Sequence, residues 1–156
     1  MDPNPPIAPF DDEAEFWEAT VELVLAVVRR HDAGLADAED QKRVAWVAHL
    51  RDEERRLRTS IDRRLDATRA SGRKPAIDML RDRFDLDGVE LAVLKILVVC
   101  ALEKERMGTI GSIFGPSVNE LLLLLGLGVA DRVRRLRTFT DGGRLVRGGL
   151  IRVEAG

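Results

Sequence analysis

Cysteine occurs once in these 156 residues, tyrosine not at all, and aromatic residues make up only 4%. A single thiol excludes an internal disulfide, and a reducing compartment is its natural setting. Cys100 lies in the aliphatic run ILVVCAL, without the neighbouring base or helix N-terminus that a reactive thiolate needs. It reads as a small buried hydrophobe. No apolar run approaches the ~18–20 residues of a membrane span, and the leucines at 121–125 are too few to cross a bilayer. The N-terminus, MDPNPPIAPFDDEAEFWE, lacks the basic and apolar regions of a secretory signal. These absences predict a cytoplasmic protein with no membrane partner.

Catalytic apparatus is missing too. His31 and His49 have no cysteine or carboxylate at metal-ligand spacing. Neither GTIGSIFG nor GGRLVRGG supplies the Lys-Ser/Thr that a phosphate-binding loop requires. The acids of DDEAE, and Asp87 with Glu90, read as capped helix starts that complement the helix dipole. The expectation is a protein that is not an enzyme, with no catalytic residue, cofactor or metal.

What is present is charge and helical period. Charged residues are 33% and hydrophobic ones 45%, a globular balance, and the net charge of −2 conceals blocks. Residues 10–40 hold ten acids and two bases, whereas residues 41–83 hold thirteen bases and seven acids. An acidic helix against a basic one is the expected arrangement, without the basic balance of a dedicated nucleic-acid binder.

Four of the six prolines fall in residues 1–9, which read as a disordered or extended arm, with residues 1–10 set apart as the expected disordered arm. Phe16, Trp17, Val21, Val24, Val27 and Val28 recur at helical spacing. Gly34 is the expected stop and Asp37 the next N-cap. A long charged helix follows to about Ala70, with Val47, Leu50, Leu57, Ile61 and Leu65 in a narrow stripe that suits an antiparallel hairpin with the first helix. Residues 11–72 thus form one expected unit, and SGRKP at 71–75 separates it from residues 75–156.

In the second half Asp87 and Glu90 start a nearly all-apolar helix, and Ser117 with Glu120 forms a capping box before the leucines. The stretch VADRVRRLRTF predicts an amphipathic helix with Val129, Val133 and Leu136 inward. RLVR-GG-LIRV has the pattern of a small β-hairpin around a Gly-Gly turn. The expected fold class is therefore mainly α: an antiparallel helical hairpin, then a winged-helix-like domain closed by a C-terminal β-hairpin. The leucine helix cannot read base edges, since it offers Asn119, Glu120 and five leucines. Within it Leu121, Leu124 and Leu125 share one face, which leaves Leu122 as the candidate interface residue.

RDRFDLDGVELAVLKILVVCALEKER, GPSVNELLLLLGLG and GGRLVRGGLIRV together resemble the winged-helix region N-terminal to the ATPase module of certain bacterial AAA-family ATPases. The matching positions are Phe84, Leu86, Glu90, Leu94, Ser117, Val118, Leu121, Leu124, Leu125, Gly149, Leu150 and Ile151, within residues 76–153. The ATPase module itself is absent from the chain. The resemblance implies a non-catalytic interaction or regulatory domain that recruits a substrate or adaptor, its partner being another protein or the ATPase module of a parent chain. The alternative is a DNA-binding regulator that meets phosphates through the last helix and wing. Arg132, Arg134, Arg135, Arg137, Arg144 and Arg147 are the candidate contacts for either partner, or a solvated face. Aromatic residues for base stacking are missing there apart from Phe139.

Overall fold

The computed structural model of the protein describes residues 6–34, 41–110 and 116–154. The chain divides into two compact units, residues 1–79 and 80–156.

In the first unit, α1 spans Glu13–Gly34 and α2 spans Gln41–Ala70. Asp12 caps α1 by accepting the Glu15 N–H at 2.9 Å, and Glu15 accepts the Asp11 N–H at 2.7 Å. Those two hydrogen bonds satisfy amides that a helix start otherwise leaves without acceptors. Phe16, Val21, Val24, Val27 and Val28 of α1 are buried, as are Leu50, Ile61 and Leu65 of α2. Val47 and Leu57 are only half-buried. The pairs Glu15–Arg64 and Arg30–Glu54 run in opposite sequence order, so the hairpin is antiparallel. Asp37, the expected N-cap of the second helix, lies outside the described residues.

The expected arm needs correction at its described end. Phe10 is buried, packs edge-on to Phe16 at 5.6 Å and lies under the Arg64 guanidinium. Its N–H donates to Thr68 Oγ1 at 2.9 Å, and its carbonyl accepts from Arg73. A large aromatic with a satisfied backbone outweighs the extended preference of the neighbouring prolines. Residues 1–5 lie outside the described residues.

After SGRKP, α3 spans Ala76–Phe84. The buried Asp78 receives a bidentate fork from Arg69, at 2.7 and 2.8 Å. That hydrogen bonding raises the Arg69 pKa still further above its ordinary value.

In the second unit, α4 spans Gly88–Leu102, and both arms of the Asp87/Glu90 capping box are formed. Its Val93, Leu94, Ile96, Val99 and Cys100 are buried. A 3-10 segment, Lys104–Ile110, follows. Helix α5, Val118–Leu124, starts from the reciprocal Ser117/Glu120 box. Then come α6 (Val129–Arg135), a 3-10 turn (Leu136–Phe139) and α7 (Arg144–Arg147).

Two expectations fail here. No strand occurs among the described residues, so the C-terminal β-hairpin is absent. RLVR is a single helical turn. Gly148 is right-handed (φ −76°), whereas Gly149 is left-handed (φ +69°). The Gly149 N–H donates to the Val146 carbonyl and the Leu150 N–H to the Leu145 carbonyl, at 3.0 Å each. This is a Schellman C-cap, in which one glycine supplies the positive φ; a type I′ hairpin turn needs it at both central residues. The same motif ends α5 at Gly126 (φ +70°).

Leu122 is the second correction. The expectation turned it away from the core, but it is 1% exposed. Leu121 and Leu124 are buried beside it, and Leu125 is half-buried. Residues at i, i+1 and i+3 cover about 160° of a helix circumference, so the core wraps α5 well beyond one i/i+3/i+4 face.

Candidate interaction surface

Helix α6 is turned the opposite way from the expected amphipathic helix. Val129, Val133 and Leu136 are 69%, 62% and 51% exposed, and no residue of α6 is buried. The cause is visible in its arginines. Arg135 Nη1 donates to Asp87 Oδ2 at 2.6 Å, and Arg132 Nη1 to Asn119 Oδ1 at 3.2 Å. Arg132 and Arg135 are one turn apart and share a face. With both reaching partners on α5 and at the start of α4, the line of Val129, Val133 and Leu136 beside them is left in water.

Asp87 is the hub of that arrangement. Besides Arg135, it lies 3.5 Å from Arg144 Nη2, while it caps the Glu90 N–H. Partial burial pulls its carboxyl upward, but the Glu90 N–H and the Arg135 guanidinium outweigh this and hold it below the ordinary value of 3.8. Arg144 also forks onto the buried Glu90 and reaches Asp85 Oδ2 at 3.1 Å, contacts that raise its own pKa. Asp85 adopts φ +53° in the turn after α3. A polar recess of about 420 Å³ opens here, lined by Asp87, Glu90, Arg135, Arg137, Arg144 and neighbouring Thr and Gly residues. Its carboxylates already occupy Arg135 and Arg144.

The six candidate arginines therefore do not form one basic face. Arg135 and Arg144 converge on Asp87, Arg132 is held by Asn119, and Arg134 pairs with Asp131 of its own helix at 3.0 Å. Arg137 and Arg147 are exposed, with no ion pair among the described residues. Elsewhere burial pushes the Cys100 thiol up to about 11, which leaves it protonated at neutral pH. His49 stacks on Trp46, and no metal-holding group of side chains occurs among the described residues.

A protein-family model described as "Winged helix domain, variant" matches residues 1–156. The chain belongs to this winged helix family. No curated protein and no solved structure matches it. Winged helix domains bind DNA or protein partners, and the family match contains nothing specific to AAA ATPases. In this winged helix domain α5, which carries the leucines, is built into the core and presents no polar row for a groove. No described helix is long and apolar enough to cross a membrane. Sequence reasoning missed the outward face of α6. The one signal for it is Arg132 and Arg135 at i, i+3, and the acid and amide that draw them inward are distant in sequence.

Proposed function

We propose that this winged helix domain is a non-catalytic protein-interaction domain and that α6 is its docking helix. The observation that carries the reading is the reversed helix: Val129, Val133 and Leu136 face solvent while Arg135 turns toward Asp87. Apolar side chains at i, i+4 and i+7 form a stripe of the kind that seats a partner helix. Leaving them in water forgoes their transfer free energy, roughly 25 cal/mol per Å² of apolar surface. The resemblance over residues 76–153 supports a AAA-type ATPase as the setting, in which the domain recruits a substrate or adaptor without hydrolysing ATP itself.

The second reading is DNA binding, favoured by the exposed, unpaired Arg137 and Arg147. Anisotropy with random duplex DNA across a salt series separates the two. Protein docking expects no affinity with a steep salt slope. Steep binding that weakens in Arg137→Ala and Arg147→Ala would establish DNA contact instead.

A further inference from the structure

Val129, Val133 and Leu136 lie at i, i+4 and i+7 along α6 and the turn that continues it, so they mark one line about 10 Å long at 1.5 Å rise per residue. At 100° per residue in α6 Arg132 borders this line on one side, and Arg137, one step past Leu136 in the 3-10 turn, borders it on the other. Arg134 stands beyond Arg137, with its side chain 75% exposed. The single acid of the helix, Asp131, points to the opposite side and pairs with Arg134. No acid of α6 itself therefore lies on either edge of the apolar line.

Resting on the protein-docking reading of α6, we propose that this face takes an amphipathic helix of a partner protein whose flanks are acidic. Two turns of such a helix match the length of the line, with apolar side chains between Val129, Val133 and Leu136. Its Glu or Asp residues then meet the exposed Arg137 and, beyond it, Arg134. Charge complementarity at the rim steers encounter and rejects wrong partners. It also argues against a second copy of this chain. A two-fold contact brings the same patch against itself, which sets the arginine borders of one copy against those of the other. An interface this small is a weak, transient one, suited to recruitment and release.

The test is anisotropy on the full chain with two labelled helical peptides. Both carry leucine at i, i+3, i+4 and i+7; one has glutamate flanks and the other lysine flanks. The Glu-flanked peptide is expected to bind at least tenfold more tightly at low salt, with the gap closing as salt rises. Val133→Glu should abolish binding with an unchanged thermal melt, and Arg137→Glu should narrow or reverse the preference. Equal affinity for both peptides, both lost in Val133→Glu, would overturn the acidic partner and leave apolar docking intact. Failure of either peptide to bind, or binding that survives Val133→Glu, overturns the proposal. So does concentration-dependent dimerisation that Val133→Glu removes, since a second copy would then be the occupant. Steep DNA binding through Arg137 and Arg147 would instead remove the docking reading beneath it.

Discussion

Arg144 Nε lies 3.1 Å from Glu90 Oε1 and its Nη2 lies 3.0 Å from Oε2, a two-pronged contact onto a carboxylate that is 4% exposed. Glu90 Oε2 also accepts the Asp87 N–H at 2.9 Å. One side chain therefore caps α4 and ties α7 to it. Glu90→Ala removes the acceptor for both donors and is expected to lower stability by about 2–3 kcal/mol. Arg144→Met should destabilise by less, and Arg147→Met, on an exposed unpaired residue, least. Urea denaturation midpoints give the order. Equal midpoints for the Arg144 and Arg147 variants would mean that the fork does not hold α7.

Asp87 contributes to the acid limb of stability. Its folded pKa lies below the ordinary 3.8, so the folded state holds its charge more firmly than the unfolded chain does. The contribution is fully present above about pH 4 and is lost as pH falls through the folded value. Asp87→Asn keeps an N-cap acceptor but cannot titrate. It is expected to flatten the fall in stability below pH 4 in part, because Glu15, lowered by the Asp11 N–H and Arg64, still titrates. An acid limb identical to the parent's would show that Asp87 is not held down in the folded state.

The legible parts of the fold are those decided by neighbours in sequence. Asp87 with Glu90 and Ser117 with Glu120 are capping boxes three residues apart, and both form. The α1/α2 seam follows from period alone, through Leu50, Ile61 and Leu65. The illegible parts depend on distant residues. Which way α6 turns is decided by Asp87 and Asn119, 48 and 13 residues from the arginines they hold. Gly148-Gly149 is ambiguous locally, since a helix cap and a hairpin turn both use glycine; the choice falls to Leu145, fully buried as part of a helical turn. Phe10 escapes a proline-based reading because its anchors, Arg64, Thr68 and Arg73, lie more than fifty residues on.

The five leucines are not equivalent. Leu122→Ala empties a fully buried site and should cost about 2–5 kcal/mol by cavity formation. Leu125 is the half-buried C-cap of α5, and Leu125→Ala is expected to cost less than half as much. Leu122→Glu should prevent folding, since it buries an unpaired carboxylate. Chemical denaturation of the two alanine variants decides the order; a Leu125→Ala loss equal to that of Leu122→Ala would contradict the burial pattern.

Gly148 and Gly149 are adjacent, yet each resists a side chain for its own reason. At Gly149 nothing lies within 4 Å of an added Cβ, but φ is +69°. Gly149→Ala therefore carries only the backbone penalty of a left-handed residue, about 1–2 kcal/mol. Gly148 has an ordinary φ, but a Cβ there would stand 2.8 Å from Phe84 Cδ1 and 2.9 Å from the Arg144 carbonyl oxygen. Gly148→Ala must move the ring or the turn, at a cost of about 1–3 kcal/mol. The two substitutions also differ in coupling. Phe84→Leu should recover part of the Gly148→Ala loss and none of the Gly149→Ala loss, a non-additivity that a double-mutant cycle measures directly. In a hairpin with a type I′ Gly-Gly turn both glycines would carry the backbone penalty and neither would couple to Phe84. Equal, uncoupled losses at the two positions would restore that hairpin and contradict the helical cap.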